Sequence, residues 1–362
     1  MVSIVAFAYA QVSSANMTPA ETKRLAKALA VELGFDRAGI APAKSSPGAA
    51  HYRAWLAAGH AGEMTYLHRN VELRANPERL LPGARSIICV AVNYRRDEGT
   101  KQASPAAGRV SQYARGEDYH RVLRAMLEEY ARRLRAAVPV AFEHRVFVDT
   151  GPVLERELAA AAGLGWIGKN TMLLHERLGS YLFLGEIFTT LEIEPDSPAS
   201  DHCGNCTRCI DACPTKAITG PHNLDASRCI AYLTIEHRGE LPAEFHEQIG
   251  DWVYGCDICQ DVCPFNRKAP RGENSELVAE LIPAYVPLLD LLRMRSGAYR
   301  RLTRGSAAAR ARRNMWRRNA AIALGNAEKL TDEERRALAE AAEDEDPSVR
   351  QAARQALARR RE

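Results

Sequence analysis

The chain has 362 residues, of which 46% are hydrophobic, 26% charged and 7% aromatic, and its formal net charge at pH 7 is +4. This composition is typical of a globular protein and excludes an intrinsically disordered chain. No apolar run reaches the roughly 18 residues that a transmembrane helix needs, so we predict that the chain does not cross a membrane. The length indicates two or three domains, each able to form its own core.

The first residues are apolar but lack the basic start of a signal peptide, so we interpret residues 1–17 as an extension before the first domain, with a short signal peptide as the alternative. Thr18, Pro19 and Glu21 form the pattern of a helix N-terminus, and a helix is predicted to follow them. The run Ser86–Val92 is apolar throughout. It predicts a strand buried on both faces, as in an α/β sheet.

Helical and strand-like patterns continue to alternate after this strand, which predicts an α/β (α+β) domain over residues 18–195. The predicted elements are a helix over Asp118–Val138, a strand within Val138–Val148, a helix over Val153–Gly163, a glycine-rich loop over Gly163–Asn170 and a strand over Tyr181–Phe188.

Eight of the nine cysteines lie between Cys203 and Cys263. The first four have the spacing C-x2-C-x2-C-x3-C-P of bacterial ferredoxins, in which the fourth cysteine binds the other cluster. A second run has Val253 where its first cysteine is expected, and Cys229 is available to replace it. Two [4Fe-4S] clusters are therefore predicted within a ferredoxin-like domain over residues 196–270. The first is assigned to Cys203, Cys206, Cys209 and Cys263, and the second to Cys213, Cys229, Cys256 and Cys259.

Two structural zinc sites are the alternative for these cysteines, because paired C-x2-C motifs also bind zinc, but the repeated ferredoxin spacing favours clusters. The ninth cysteine, Cys89, lies inside the apolar run and is predicted to be a small core residue. Clusters carry electrons one at a time and select no substrate. The rest of the chain is therefore expected to bind the molecule that is reduced.

The end of the chain is predicted to be helical after a proline-containing connector over residues 271–301. Residues 302–362 are predicted to form helices over Ala307–Ala327, Thr331–Ala342 and Pro347–Arg360. The last helix has the sequence of the second half of a HEAT-type repeat.

Ten arginines lie between Arg293 and Arg318, and no acidic residue occurs between Asp290 and Glu328. Because arginines neutralise phosphates and aromatic rings stack on bases, this stretch, with its Tyr299 and Trp316, predicts a nucleic-acid surface. A solvated face balanced by nearby acidic residues is the alternative.

Several motifs together resemble the epoxyqueuosine reductase family, and the resemblance covers the chain from about Met17 to Arg360. Two departures are Phe265, where many members have a bulkier aromatic residue, and the extension before Met17. The motifs are YARGEDYH (Tyr113–His120), VDTGPVLERELAAAAGLGWIGKNTML (Val148–Leu173), GSYLFLGEI (Gly179–Ile187), the two cysteine runs with RCIAYLTIE between them, and RRNAAIALGN.

The resemblance implies a cobalamin-binding α/β domain, a two-cluster ferredoxin-like domain and a C-terminal HEAT-like segment. It also implies reduction of epoxyqueuosine to queuosine at the wobble position of tRNAs with GUN anticodons, in the cytoplasm, by a monomer that receives electrons from an external donor. Removing the epoxide oxygen takes two electrons and protons. Reduced cobalamin is expected to act by attack on a carbon or by electron transfer, and both routes stay open.

The proton donor of the family corresponds to Asp149. This residue follows an apolar strand, at the end where ligands of open α/β sheets bind, and burial beside a corrin face is expected to raise its pKa. The alternative is that Asp149 caps the helix predicted at Val153.

Further binding residues are expected from the resemblance and the local sequence. The glycine-rich loop is expected to approach the corrin or to form an ordinary turn, and His120 is interpreted as a capping or surface residue and not as a cobalt ligand. Cobalamin contacts are predicted for Arg74, Tyr113, Asp149, Lys169, Asn170, Ser180 and Gly255. Contacts with tRNA are predicted for His237, Arg238, Arg312, Arg313 and Arg317.

Two other functions stay open at this point. A corrinoid reductive dehalogenase shares the cofactor and paired clusters, but its relatives usually carry a twin-arginine signal and need no basic helical tail. A non-catalytic iron–sulfur electron carrier would contain clusters but bind no cobalamin.

Overall fold

The structure is a computed structural model that describes residues 17–44, 46, 48–97 and 106–359. The predicted N-terminal extension lies outside the described residues, apart from Met17. The α-helices are α1 (Pro19–Glu32), α2 (Ala49–Ala57), α3 (Val71–Ala75), α4 (Pro77–Leu80), α5 (Tyr119–Ala137), α6 (Glu155–Ala161), α7 (Arg208–Asp211), α8 (Ile230–Ile235), α9 (His246–Ile249), α10 (Ile258–Asp261), α11 (Pro264–Arg267), α12 (Leu288–Leu292), α13 (Ser296–Leu302), α14 (Arg313–Asn326), α15 (Asp332–Ala341) and α16 (Pro347–Ala358).

The strands form one larger and several small sheets. They are β1 (Arg37–Pro42), β2 (Ser86–Asn93), β3 (Ala107–Val110), β4 (His144–Phe147), β5 (Trp166–Ile167), β6 (Leu173–Leu174), β7 (Leu182–Thr189), β8 (Ile218–Gly220), β9 (Asn223–Leu224), β10 (Trp252–Tyr254) and β11 (Tyr285–Pro287).

A four-stranded sheet with the order β1-β2-β7-β4 is the centre of the N-terminal half. Every residue of β2 is buried, as predicted, because helices cover both faces of the sheet. Alternate residues such as Ile88 and Val90 pack against α1 and α5, while Cys89 and Ala91 pack on the side of α6. Cys89 is thereby confirmed as a core residue.

The strands of this sheet are all paired antiparallel, whereas the buried run of β2 was compared with the strands of an α/β sheet, which are mostly parallel. An apolar run reports burial on two faces and carries no information on strand direction. Here helices from different parts of the chain cover both faces of the sheet. Because the strands are antiparallel, the fold is of the α+β type.

The helix boundaries follow capping signals in the sequence. Thr18 and Glu21 form a capping box at the start of α1. Asp118 caps α5 and Val138 ends it, as predicted. The helix predicted from Val153 begins two residues later, as α6, because the preceding residues form a tight turn.

The C-terminal helices share a core with earlier parts of the chain. Residues of α14, α15 and α16 pack in one apolar cluster with residues of α8, α12 and β10. Strand β3 also lies between β10 and β11 in a three-stranded sheet, so the connector contributes a strand. One core therefore continues across the boundaries predicted at residues 195, 270 and 301.

The first of the predicted C-terminal helices begins later than expected. Residues Ala307–Arg310 form a 3-10 turn, and Ala311 and Arg312 are extended before α14 begins at Arg313. The next two helices match α15, which has a capping box at Thr331, and α16.

In the described part of the chain, none of the helices combines the length and apolar character needed to span a membrane.

Candidate functional site

The turn after β4 presents Asp149 to a cavity. Asp149 adopts a positive φ of 52°, a conformation that aspartate tolerates better than most residues but that still costs free energy. The side chain of Arg74 holds the turn by donating to the carbonyls of Gly151 and Val153 at 3.3 and 3.2 Å. From the helix that follows, Glu155 accepts a hydrogen bond from the backbone N–H of Asp149.

Two neighbouring residues of α5 bind the Asp149 carboxylate. The Tyr119 hydroxyl donates to Asp149 Oδ2 at 2.6 Å, and His120 Nε2 lies 3.0 Å from the same oxygen. The ring of Tyr119 is stacked between those of Phe183 and His120, with centroids 4.3 and 4.0 Å away. This stacking fixes the direction from which both polar groups approach the carboxylate.

The electrostatics of Asp149 differ from the expectation of a raised pKa. Its surroundings in the protein raise the pKa by desolvation, but hydrogen bonds from His120 and Tyr119, with the charges of His120 and Arg310, hold it below its usual value. About half of the side-chain surface (52%) remains accessible. In the chain itself, partners distant in sequence stabilise the carboxylate form of Asp149. The expected rise of its pKa concerned burial beside a corrin face and stays a prediction.

Raised carboxyl pKa values occur instead on two neighbouring residues. Burial, with the negative charge of Asp149, raises the pKa of Glu155 to about 8. Burial also raises the pKa of Glu186, on β7, well above its usual value, with the charges of Glu155 and Asp149 acting in the same direction. The side-chain oxygens of Glu186 are fully buried and have no hydrogen-bond partner among the described residues. Protons are thus held close to Asp149 at neutral pH.

The sequence contains a signal for the burial of one of these two residues, Glu186, which was not predicted as a site residue. Glu186 is a carboxylate inside an otherwise apolar strand, and such a residue is rarely buried without a reason. Glu155 has no comparable signal, because acidic residues are common in the first turn of any helix.

One cavity of about 400 Å³ contains Asp149 on one wall and the second group of cysteines on another. Its other walls are largely apolar. They are formed by residues that include Met172, Leu173, Leu182, Phe183, Leu184, Ile218, Leu224, Ile230 and Ile258, with the polar side chains of Ser111, Tyr113, Tyr119, Asn170, Thr171, Ser180, Asp257 and Gln260 between them. The cysteines on its wall are Cys213, Cys229, Cys256 and Cys259.

The predicted cobalamin contacts fall into two sets in the described residues. Tyr113, Asn170 and Ser180 line the cavity with Asp149. Arg74, Lys169 and Gly255 are not among the residues of its wall.

Each member of the second set has another local contact. Arg74 donates to the carbonyl of Gly151, in the turn that carries Asp149. Lys169 Nζ donates to the carbonyls of Gly204 and Cys206 at 2.6 and 3.0 Å, beside the first group of cysteines. Gly255 has a φ of 69°, and a Cβ there would lie 2.5 Å from Ser111 Cβ, so the chain needs glycine at this close approach.

The cysteines influence one another in two groups of four. Burial raises the pKa of the Cys209 thiol, and the charges of Cys203 and Cys263 raise it further. Cys263 is affected in the same way by Cys203 and Cys206.

In the second group, burial again raises the thiol pKa values first. Cys213 adds to the effect at Cys229, and Cys229 adds to it at both Cys256 and Cys259. Cys209 also affects Cys259, so the groups are neighbours. Apart from Cys209 and Cys259, the cysteines that affect one another are those assigned to the same cluster from the sequence, and the ligand assignment stays a prediction.

A second, larger cavity of about 860 Å³ adjoins the first group of cysteines at Cys263. Its wall is rich in charge of both signs and includes Arg95, Arg96, Asp97, Arg208, Asp211, Asp261 and Arg267. It does not contain Asp149. The two cavities therefore adjoin different cysteine groups.

Two residues near Asp149, Tyr66 and Glu236, were not predicted from the sequence, and Arg310 was expected only as a member of the basic stretch. Tyr66 is an exposed aromatic residue, and the guanidinium of Arg310 lies 5.4 Å from its ring centroid. Glu236 holds Arg310 through two hydrogen bonds of 2.8 Å. The charge of Asp149 raises the pKa of Tyr66, and that of Arg310 lowers the pKa of Asp149, which places both near the acid.

The predicted tRNA residues differ in how available they are. Arg312 is exposed at the start of α14, and Arg313 donates to the carbonyl of Met294 at 3.1 Å. Arg317 is largely buried, in an ion pair with Asp344. His237 and Arg238 lie beside Glu63 and Glu236, in the loop after α8.

Arg318 and Trp316, both within the basic stretch, belong to the core. Arg318 is fully buried and donates to the carbonyls of Leu233, His237 and Gly239. Trp316 is also fully buried and stacks on Tyr254, with ring centroids 5.0 Å apart. The interpretation of Trp316 as a base-stacking residue is therefore wrong. Helix periodicity placed it on the inner face of α14.

The cavity chemistry fits a corrin and a cluster. Apolar walls suit the faces of a large flat macrocycle. Ser180, Asn170 and Gln260 form a polar part of the wall and are hydrogen-bonded to other residues of the chain. Thiols at one wall are suitable ligands for an iron–sulfur cluster. The arrangement is able to bring an electron source, an apolar bound group and an acid–base pair to one space.

Comparisons with known proteins give the family. The family model described as epoxyqueuosine reductase QueG, DUF1730, matches residues 74–150, and a model described as a 4Fe-4S double cluster binding domain matches residues 202–266. The chain is 43% identical over 317 residues to an epoxyqueuosine reductase of Xanthomonas campestris pv. campestris, covering 86% of this chain and 89% of the relative. It is 44% identical over 315 residues to that of Gloeobacter violaceus, covering 85% and 96%.

Solved structures of epoxyqueuosine reductases have the same fold. A selenomethionine-labelled enzyme has a TM-score of 0.84 and 31% identity, over 93% of this chain and 91% of the other. An epoxyqueuosine reductase with a tRNA-Tyr epoxyqueuosine-modified stem loop has a TM-score of 0.82 and 31% identity, over 93% and 90%.

A Bacillus subtilis enzyme, in which the loop of a catalytic aspartate is swung out of the active site, has a TM-score of 0.81 and 30% identity, over 93% and 91%. With curated relatives above 40% identity over most of both chains, this chain belongs to the epoxyqueuosine reductase family of oxidoreductases.

Proposed function

We propose that the chain reduces epoxyqueuosine in tRNA to queuosine, with cobalamin and two [4Fe-4S] clusters as cofactors and Asp149 as the group that protonates the leaving oxygen. The observation that carries this proposal is the cavity in which Asp149 faces Cys213, Cys229, Cys256 and Cys259. A relative crystallised with an epoxyqueuosine-modified stem loop supports the substrate. We also infer that the chain works as a monomer in the cytoplasm, with an external electron donor.

The cysteines give the electron path a direction. We assign Cys203, Cys206, Cys209 and Cys263 to a first cluster, beside the charged outer cavity, and the other four to a second cluster, at the wall of the Asp149 cavity. An external one-electron reductant would load the first cluster. The two groups are neighbours at Cys209 and Cys259, so electrons would pass from the first cluster to the second. The second cluster would serve the cavity, because its cysteines line the cavity wall.

Cobalamin supplies the strongly nucleophilic, two-electron chemistry that one-electron clusters lack. The chain's own residues would hold it through the apolar walls and the polar groups of Tyr113, Asn170 and Ser180. With substrate in place, the same walls would shield the reacting oxygen from water, which strengthens the electrostatic contacts that Asp149 makes.

The acid acts on the oxygen that leaves carbon. Deoxygenation of the epoxide consumes two electrons and two protons and releases one water. Asp149 Oδ2 is held by Tyr119 and His120 at the cavity wall, where it can carry a proton to that oxygen. Its left-handed backbone is held by Glu155 and Arg74, and its side chain lines the cavity.

The basic stretch supports the tRNA proposal through its exposed members. Arg300, Arg301, Arg304 and Arg312 are exposed, whereas Arg318 is committed to the core. His237 and Arg238, followed by Arg310 and Tyr66, continue from this stretch towards Asp149. We infer that the anticodon loop follows this path, so that the wobble base reaches the cavity.

The replacement Asp149→Asn tests the proton-donor role. It removes the ionisable group without changing its size, and we expect turnover to fall by about 100-fold, the usual effect of losing a general acid. Turnover is measured anaerobically by mass spectrometry of nucleosides released from epoxyqueuosine-containing tRNA. Asp332→Asn, an exposed position on α15, is the matched control. Unchanged turnover in the Asp149 variant, with cofactor content equal, would contradict the role.

The replacement Cys203→Ala tests the ligand assignment. Two intact clusters contain about eight irons per chain, and loss of the first cluster leaves about four. Cys89→Ala, at a core cysteine outside both groups, is the control and should retain all the iron. The number of irons per chain is measured by chemical analysis of the anaerobically purified protein. An iron content that does not change in the Cys203 variant would refute its assignment.

The replacement Arg312→Glu tests the tRNA surface. Arg312 is exposed and has no ion pair among the described residues, so the change reverses a free charge. We expect the Kd for tRNA to rise about tenfold at low salt, and the slope of log K against log salt to shrink by about one. Arg24→Glu on α1, which is also exposed and has no ion pair among the described residues, is the control for the same change of charge. Equal affinities of both variants at every salt concentration would argue against the surface.

A further inference from the structure

His120 lies between two carboxylates. Its Nδ1 is 2.7 Å from Asp118 Oδ1, and its Nε2 is 3.0 Å from Asp149 Oδ2. The same Asp118 oxygen accepts the backbone N–H of His120 at 3.0 Å, as the cap of α5. The cap thus fixes one side of the ring and leaves the other side directed at Asp149.

Both ring nitrogens need a proton in this arrangement. A neutral imidazole has one N–H and one lone pair, so one of its nitrogens would face a carboxylate oxygen with a lone pair. The imidazolium form donates from both nitrogens and satisfies both oxygens. The geometry therefore holds one more proton in the group of Asp118, His120 and Asp149 than two carboxylates and a neutral imidazole would contain.

The charges around His120 have the same effect. Burial lowers the pKa of His120, but the hydrogen bonds and charges of Asp118 and Asp149 outweigh burial and raise it to about 9. The other titratable groups near the pair are Tyr119, which stacks on the ring, Glu155 on α6, and Arg310 and Tyr66 on the far side of Asp149. Of these, Glu155 titrates nearest to neutral pH.

We propose that His120 stores the proton that Asp149 delivers to the departing oxygen, so that the working acid is the Asp149–His120 pair and not Asp149 alone. This inference rests on the proposed function. It assigns to His120 a positioning and proton-storing role that acts through Asp149, without contact with the substrate.

The step balances within the proposed reaction. As the bond from carbon to oxygen breaks and negative charge develops on that oxygen, the N–H bond at His120 Nε2 breaks and its proton passes to the Asp149 Oδ2 carboxylate. The carboxyl so formed gives a proton to the departing oxygen, which returns Asp149 to the carboxylate form. His120 becomes neutral and takes a proton from water at its accessible edge, since its side chain is 31% exposed. A second passage supplies the second proton, while the two electrons come from the external one-electron reductant through the clusters.

The first test is the pH profile of single-turnover reduction in the reconstituted enzyme. For the wild type we expect a constant rate near neutral pH and a fall as the pH rises through about 9, because the stored proton is then lost. His120→Gln keeps a donor towards Asp149 but stores no proton, so we expect an about 100-fold lower rate without that fall. Glu155→Gln removes the titrating carboxyl next to Asp149. The rate of this variant should still fall near pH 9, because His120 is unchanged.

The second test observes the proton without turnover. In ¹⁵N-histidine NMR of the holoenzyme with oxidised clusters, the resonance absent from the His120→Gln spectrum identifies His120. We expect both of its ring nitrogens to be protonated at pH 7.5 in the wild type.

The outcomes separate the two proposals. A neutral His120 at pH 7.5, or a His120→Gln enzyme with wild-type rate and profile, overturns the proton-storing role alone. A fall near pH 9 that disappears in Glu155→Gln transfers the role to Glu155 and overturns it for His120. A wild type that binds its cofactors and tRNA but removes no oxygen overturns the proposed function, and the role of His120 with it.

Discussion

The buried hydrogen bonds between the cysteine-rich segment and the sheet domain set the geometry on which the site depends. Asp257 accepts from Ser111 Oγ and from the backbone N–H of Gln112, at 2.5 and 2.8 Å. Ser180 donates to Gln260 at 2.9 Å, and its backbone N–H donates to Asn266 at 2.7 Å. Buried polar groups of this kind are costly unless every partner is in place, so they permit one arrangement of the two parts.

That one arrangement explains why cysteines and acid share a cavity. The segment that carries Asp257, Gln260 and Asn266 also carries Cys256, Cys259 and Cys263. Fastening it to Ser111 and Ser180 places the second cysteine group in the wall of the cavity that also contains Asp149. The proposed electron path and proton path would therefore meet because a polar interface fixes the distance between them. Ser180, expected to contact cobalamin, both lines the cavity and helps to form this interface.

The acid site itself combines opposing charges. Asp149 is held as a carboxylate by His120 and Tyr119, while Glu155 and Glu186 retain protons through burial. An acid with a low pKa is a weak store of protons at neutral pH, but an efficient carrier if a charged donor is bound to it. In this chain Glu155 and Arg74 hold the turn that carries Asp149.

Local sequence signals predicted the elements well, and they failed where remote partners decide. The capping residues Thr18 and Asp118 gave the starts of α1 and α5, and the apolar run gave β2. Residues far along the chain determine three other features. These are the strand direction, the burial of Arg318 with its hydrogen bonds to three carbonyls, and the pKa of Asp149.

The candidate site shows the same division. The spacing of the cysteines was readable because a cluster needs ligands at fixed separations. In contrast, the motif YARGEDYH placed His120 in sequence without revealing that Asp149 would lie against its ring. Composition marked the basic stretch, but only packing separates its exposed arginines from Arg318 in the core.

The most direct measurement of the central claim is the dependence of epoxide reduction on cobalamin. Wild-type chain with both clusters reconstituted is mixed anaerobically with reductant and epoxyqueuosine-containing tRNA, with and without cobalamin, and the nucleosides are weighed. The account predicts loss of one oxygen from the modified nucleoside only when cobalamin is present. Equal reduction without cobalamin, or none with cobalamin bound and clusters intact, would contradict it.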